Sequence, residues 1–195
     1  MIRCFDRLSK QNFSASEDIS LFEWARLHFN HLTERCPTCR TLGKLYSFGS
    51  YRRNLVSIVD GTVIVTQLRI QRYICHTCHK THALLPDVIV PHSVYSLRFM
   101  LTAILAYYHR TGTVAEVCER LGIAISTLYS WIKRLRTQLS LLHGKLLAKS
   151  YSVNLAIEEL LGGSGLTSML ISFFARFAFS FMQRHRVATT QSHPP

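Results

Sequence analysis

Two Cys-x-x-Cys pairs, Cys36-Pro37-Thr38-Cys39 and Cys75-His76-Thr77-Cys78, stand 35 residues apart in this chain of 195 residues. Two-residue spacing lets both thiolates of one tight turn point at a single ion, and zinc favours four such soft ligands in a tetrahedron, each about 2.3 Å away. The chain between the pairs must therefore run out and come back. "NLVSIVDGTVIVTQLRIQRYI", residues 54–74, has the pattern for that. Asp60-Gly61 between alternating β-branched residues signals a type I′ turn, which needs positive φ at both central positions. Strands are expected over Leu55–Val59 and Thr62–Ile74. Two knuckles joined by a β-hairpin describe a zinc ribbon with one structural Zn²⁺ held by Cys36, Cys39, Cys75 and Cys78, its small core depending on the metal. A thioredoxin-like redox pair fits less well, because that motif opens a helix within a βαβ pattern and none is visible here.

The second pair lies within "RYICHTCHKTHALLP", where His76, His79 and His82 crowd the two cysteines. His76 sits inside the knuckle and is expected to face solvent. His79 or His82 can replace a cysteine as ligand, but four thiolates already complete a tetrahedron. Hydrogen bonding around the site, or contact with phosphate, is the role expected of them. Arg52, Arg53, Arg69 and Arg72 decorate the hairpin and are candidate phosphate contacts.

From Ser93 the period changes from two to 3.6. "SVYSLRFMLTAILAYYHR" places Val94, Leu97, Met100, Leu101, Ile104, Leu105 and Tyr108 at helical spacing, predicting a helix over Tyr95–His109. Thr113 with Glu116 three residues on forms a capping box, so a short helix should run from Val114 to Leu121. Gly122 then provides a turn, and Ser126 reads as the N-cap of a longer helix reaching Leu139 or beyond. Two helices joined by so short a Gly-containing turn make a helix-turn-helix. Val117, Leu121, Ile123, Leu128 and Trp131 would form its inner face. Cys118 falls where the helices approach most closely, and is read as a buried thiol. The outer face of the second helix would then carry Ser126, Thr127, Tyr129, Ser130, Lys133, Arg134 and Arg136. Short hydroxyls followed by bases suit a helix lying in the major groove of DNA. The bland alternative is a helical hairpin whose charges are simply solvated.

Charge favours the first reading. Lys plus Arg number 23 against 11 Asp plus Glu, and a pI near 9.8 is the footprint expected of a nucleic-acid binder. Arginine outnumbers lysine 17 to 6, and its planar fork suits phosphates and base edges. "MIRCFDRLSKQNFSASED" lacks the continuous apolar run of a signal peptide. A cytoplasmic, nucleoid-associated location is expected, where cysteines stay reduced.

"RYICHTCHKTHALLPDVIVPHSVYS" followed by "VAEVCERLGIAISTLYSWIKRLR" resembles a bacterial domain-of-unknown-function family associated with mobile elements. It is also similar to the zinc-ribbon plus helix-turn-helix N-terminal region of insertion-sequence transposases. The resemblance covers Cys36 to about Arg136. It implies zinc at the four cysteines and DNA contact by Ser126, Tyr129, Ser130 and Lys133. Double-stranded DNA is then the expected partner, with a second copy of the chain and a transposase as candidate protein partners, and no membrane.

A complete transposase needs acidic residues converging on Mg²⁺. After Glu119 the chain offers only the neighbours Glu158 and Glu159, which point about 100° apart on a helix. No catalytic domain is expected, and the chain is read as a non-enzyme. The alternatives are the recognition subunit or degraded fragment of a DDE-type transposase, or an adaptor for protein or RNA.

The predicted class is α+β. An N-terminal arm and amphipathic helix occupy 1–33, with Leu21, Trp24, Ala25 and His28 on one face. The ribbon with its long hairpin takes 34–92, and the helix-turn-helix domain 93–150. C-terminal helices fill 151–187, and a disordered tail 188–195. Within the fourth of these, residues 166–182 carry one charge, Arg176, with Ser168, Ser172 and Ser180 among apolar residues. That run is short for a membrane helix of about 20 residues, and a buried helix or dimer contact fits it better.

Overall fold

The computed structural model describes residues 2–4, 29–86, 89–143, 157 and 165–184. All but the last two residues of the expected N-terminal helix, Glu158 and Glu159, and the tail lie outside the described residues. Within them the chain is α+β. Three antiparallel strands, β2 (Leu45–Val59), β3 (Thr62–Cys75) and β4 (Thr81–Pro86), form a sheet whose β4 edge carries the short parallel strand β1 (Ile2–Cys4). Four helices accompany it: α1 (Leu97–Tyr108), α2 (Val114–Leu121), α3 (Ile125–His143) and α4 (Gly165–Phe177).

The hairpin turns where Asp60 and Gly61 stand, at φ 49° and 77°, the two positive values of a type I′ turn. Its register runs from Val59↔Thr62 to Leu45↔Cys75. The expected first strand therefore begins ten residues too late. "YSFGSYRRN" shows no apolar alternation, and its pairing follows from the partner strand and from a bulge. Phe48 and Gly49 together face Arg72, with Gly49 at φ 71° absorbing the extra residue.

Both faces of this sheet bury side chains, at different ends. One face carries Leu45, Tyr73, Cys75, Leu84 and Ile2 into a small core around the cysteines. The other carries Leu55, Leu68, Ile70 and Leu85 onto Ile89. Leu84 and Leu85, adjacent on β4, serve one core each, as a two-residue period requires.

The hairpin is also tied to the helices. The Val56 N–H donates to the Val94 carbonyl at 2.7 Å, and the Ser96 N–H donates to the Val56 carbonyl at 3.0 Å. The Arg53 guanidinium donates to the Val90 carbonyl at 2.8 Å. Val56, Ile58 and Val63 pack on the helical core. Because Val94 and Tyr95 are used in this extended pairing, α1 starts at Leu97 and not at Tyr95, with Ser96 as N-cap accepting from the Phe99 N–H. The boundary drawn from sequence at 92/93 is thus bridged by backbone hydrogen bonds and by apolar packing.

The helical core centres on Phe99, Met100, Ile104, Leu128, Trp131 and Leu135, with Phe173 from α4. All five expected inner-face residues, Val117, Leu121, Ile123, Leu128 and Trp131, are buried in it beside Cys118. Burial raises the Cys118 thiol above its ordinary pKa. The apolar run 166–182 supplies Leu170, Phe173, Phe181 and Met182 to this core, so buried packing accounts for much of its apolar character. Among the described residues no helix is long and apolar enough to cross a membrane.

Candidate metal centre and helical surface

Each cysteine pair is presented by the same turn. The N–H of Arg40 donates to the Cys36 carbonyl, and the N–H of His79 to the Cys75 carbonyl, at 2.9 and 2.8 Å. The N–H of Cys36 donates to the Thr41 carbonyl, and that of Cys75 to the Lys80 carbonyl, at 2.9 and 3.0 Å. Arg40 and His79, each following a second cysteine, take the left-handed conformation at φ 63° and 57°. His79 is exposed there. Gly43 closes the first turn at φ 63°, and a Cβ on it would lie 2.9 Å from the Leu32 carbonyl oxygen, so only glycine fits.

The β2–β3 register sets Leu45 opposite Cys75 and brings the two turns face to face. Sγ of Cys36 lies 3.6 Å from Sγ of Cys78, and Sγ of Cys39 lies 3.6 Å from Sγ of Cys75. All four sulfurs fall within 4.8 Å of one another and can bind a metal ion. Cys36 and Cys75 are fully buried, while Cys39 and Cys78 are half-buried.

The surroundings treat the thiols differently. The Thr41 hydroxyl, 3.3 Å away, and the Thr41 N–H lower Cys39 to about 6. The Cys78 N–H leads in lowering Cys75, against burial. For Cys78 the Lys80 N–H pulls downward, but burial and the three neighbouring sulfurs outweigh it and carry the thiol up to about 11. Sulfurs packed this closely resist ionising together without a cation between them, since each thiolate repels the next.

Of the three histidines, His82 reaches the cluster, its Nε2 lying 3.4 Å from Cys36 Sγ. A thiolate there accepts only, so it selects the tautomer protonated at Nε2. Buried at 5% exposure and held below the ordinary imidazole pKa by that burial, His82 fits a neutral donor to a ligand. His76 is exposed and stacks on Tyr46 with ring centroids 3.9 Å apart.

The α2–turn–α3 unit has the expected capping box, Thr113 with Glu116, and the expected turn, Gly122 at φ 63°. The start of α3 differs by two residues at its cap. The Ala124 carbonyl accepts from the N–H groups of Thr127 and Leu128, making Ala124 and not Ser126 the N-cap; Ser126 sits exposed in the first turn.

The residues read as outward on α3 divide into two sets. Ser126, Tyr129, Lys133 and Arg136 form an exposed stripe. Arg136 donates from Nε to the Tyr108 hydroxyl at 2.8 Å, and Tyr129 meets the Tyr107 ring edge-on at 6.0 Å. Thr127, Ser130 and Arg134 are half-buried, and with Ser126, His92 and Arg184 they help line a groove of about 420 Å³ against the 90–95 segment. Arg134 is engaged by the fold. It donates to the Met182 carbonyl at 2.9 Å, and burial first, then Arg184, lowers its pKa.

Arg53 is likewise half-buried on Val90, and burial lowers its pKa too. Arg72 lies over the Phe48 ring at 5.5 Å. Arg52 and Arg69 are exposed, Arg69 donating to the Ser50 hydroxyl at 2.8 Å. Sequence reasoning missed Ile125, 45% exposed beside the stripe, and His92 and Arg184 in the groove. Only the position of Ile125, one turn before Tyr129, signalled it. Nothing in the sequence near Arg184 links it to α3.

Fold and site together define a small α+β protein with a partly buried four-cysteine cluster. Residues 36–131 match a domain of unknown function, DUF6431, a span running from the first cysteine of the cluster through the first turns of α3. No curated protein and no solved structure matches the chain.

Proposed function

We propose that the chain is a zinc-containing, sequence-specific double-stranded DNA-binding protein of the transposase-associated kind, without a catalytic domain of its own and working in the bacterial cytoplasm. The observation that carries this reading is the exposed stripe Ser126, Tyr129, Lys133 and Arg136 on α3, on a helix fixed to α2 by a buried interface and a left-handed glycine. In this reading the pair is a helix-turn-helix and α3 enters the major groove. Ser126 and Tyr129 meet base edges, Lys133 and Arg136 meet phosphates, and Ile125 offers apolar contact to a thymine methyl. Of the hairpin arginines, Arg52 and Arg69 remain available for phosphate, whereas Arg53, like Arg134 on α3, acts through the fold.

Zinc is the metal that suits the cluster. With four bonds of about 2.3 Å, a regular tetrahedron sets its sulfurs about 3.8 Å apart. The two cross-knuckle pairs stand at 3.6 Å. Zinc would neutralise thiolate charge and tie β2, β3 and the 36–43 turn into a ribbon, with His82 donating to Cys36.

The test is selection of bound sequences from random duplex DNA by the zinc-loaded protein, with binding then measured across salt. Enrichment of a defined site, and affinity that falls steeply with salt as counterions are released, are expected. Failure to retain any duplex at low salt would overturn the reading.

A further inference from the structure

The long hairpin carries a second surface that duplex recognition does not use. On β3, alternation sends Tyr73 and Cys75 toward the metal core and sets Arg72 and Ile74 on the opposite face, continued by His76 just beyond the strand. From β2, Tyr46 and Phe48 join that face: Tyr46 stacks on His76 at 3.9 Å and 23°, and the Arg72 guanidinium lies 5.5 Å from the Phe48 centroid. Tyr46 and Phe48 are 40% and 46% exposed, so two flat pairs, phenol on imidazole and phenyl under guanidinium, lie side by side at the surface.

We propose that this face binds a single nucleic-acid strand by stacking its unpaired bases. Exposed rings on a sheet offer what every base can use, a π-face, and duplex DNA keeps those faces hidden in its own stack. Charge complementarity favours this occupant over an apolar one. Between residues 35 and 86 Asp60 is the sole acid, and it lies in the turn at the far end of the hairpin, while Arg72 stands on the face itself and Lys44, whose carbonyl accepts from the His76 N–H, stands at its end. The metal core beneath the same strands holds the face rigid, lowering the ordering cost of binding. At about 3.3 Å per residue, Phe48 lies roughly 25 Å along β2 from Val56, where the hairpin docks on the helices. The platform is therefore separate from α3, and it stands independently of the duplex reading.

The full-length, zinc-loaded protein would be titrated with labelled dT15, rU15, an abasic strand of equal length and a duplex. Tight binding to dT15 or rU15, and weaker binding to the abasic strand, are expected; the two arms decide between DNA and RNA as the source. Tyr46→Ala and Phe48→Ala should each weaken strand binding about 5- to 100-fold. Phe48→Leu should match the alanine variant and Phe48→Tyr should match the wild type, a split that loss of folding would not produce. Lys133→Ala should lower duplex affinity and leave dT15 unchanged. Absence of binding to both strands, or equal binding by Phe48→Leu and wild type, would overturn the proposal. So would variants that turn a dimer into a monomer without altering strand binding, since the face would then be one of self-association.

Discussion

Gln138 on α3 is 4% exposed and holds the chain that follows α4. Its Oε1 accepts from the Met182 N–H at 2.6 Å, and its Nε2 donates to the Gln183 carbonyl at 3.2 Å. Replacing it with leucine keeps the volume and removes both partners. Each orphaned backbone group costs about 1–3 kcal/mol where water cannot reach it, and the added apolar burial returns about 1 kcal/mol. The net loss is about 1–5 kcal/mol, or a fall in Tm of roughly 2–20 °C for a chain of this size. Gln138→Leu unfolding in urea, followed by the fluorescence of Trp131 in its buried setting against Tyr95 and Phe99, measures it. Gln138→Glu keeps the acceptor for Met182 but sets a carboxylate oxygen against the Gln183 carbonyl, so its loss should shrink as falling pH protonates that oxygen into a donor. A change below about 0.5 kcal/mol in the leucine variant would refute the clamp, being no more than an ordinary surface substitution costs.

The same clamp predicts that Arg134→Ala destabilises by about 1.5–3 kcal/mol through its lost charged hydrogen bond to Met182, read by the same urea titration. Lys133→Ala, on the exposed stripe, should leave stability within about 0.5 kcal/mol and reduce the slope of log affinity against log salt by about 0.9, measured by anisotropy on the selected duplex. Cys75→Ser should lose the single bound zinc in a metal assay and unfold the small core, seen as loss of the tyrosine part of the near-ultraviolet dichroism while the Trp131 part persists. Gly43→Ala should weaken zinc retention against a chelator, because its Cβ would meet the Leu32 carbonyl oxygen at 2.9 Å in a left-handed backbone.

What could be read from the sequence was whatever local chemistry decides. The Asp60-Gly61 turn, the Thr113–Glu116 capping box and the left-handed Gly122 each follow from a few adjacent residues, and the spacing within each Cys-x-x-Cys pair announces the cluster. What escaped depends on distant partners. Arg134 looks like any outward base on a helix until Met182, 48 positions later, offers its carbonyl. Tyr95 fits the helical period and yet is taken by the edge of β2. Ser126 is a better N-cap than alanine by type, but Ile123 is buried by the turn and Ala124 is left at the helix entrance. Strand β2 continues through "YSFGSYRRN" because β3 offers it hydrogen bonds, which composition does not record.

The four-cysteine cluster and α3 sit at opposite ends of one hairpin, and the linkage between them can transmit orientation. At the far end, zinc would fix the register Leu45↔Cys75, and the register of an antiparallel pair is a single variable along its length. At the near end, Val56 is held on both sides, its N–H by Val94 and its carbonyl by Ser96, which is in turn the N-cap of α1. Tyr95, between those two residues, packs on Phe99 at 5.2 Å and edge-on to Trp131 of α3 at 4.9 Å. A slip of the hairpin by one residue would invert Val56 relative to the helices and tear Tyr95 from Trp131. The type I′ turn resists such a slip locally, and the cysteines would resist it again some 15 residues away. On this reasoning metal removal lowers duplex affinity without touching a single DNA contact. Zinc-stripped protein should retain helical dichroism and the buried Trp131 signal while binding its site more weakly, and re-addition of zinc should restore the affinity.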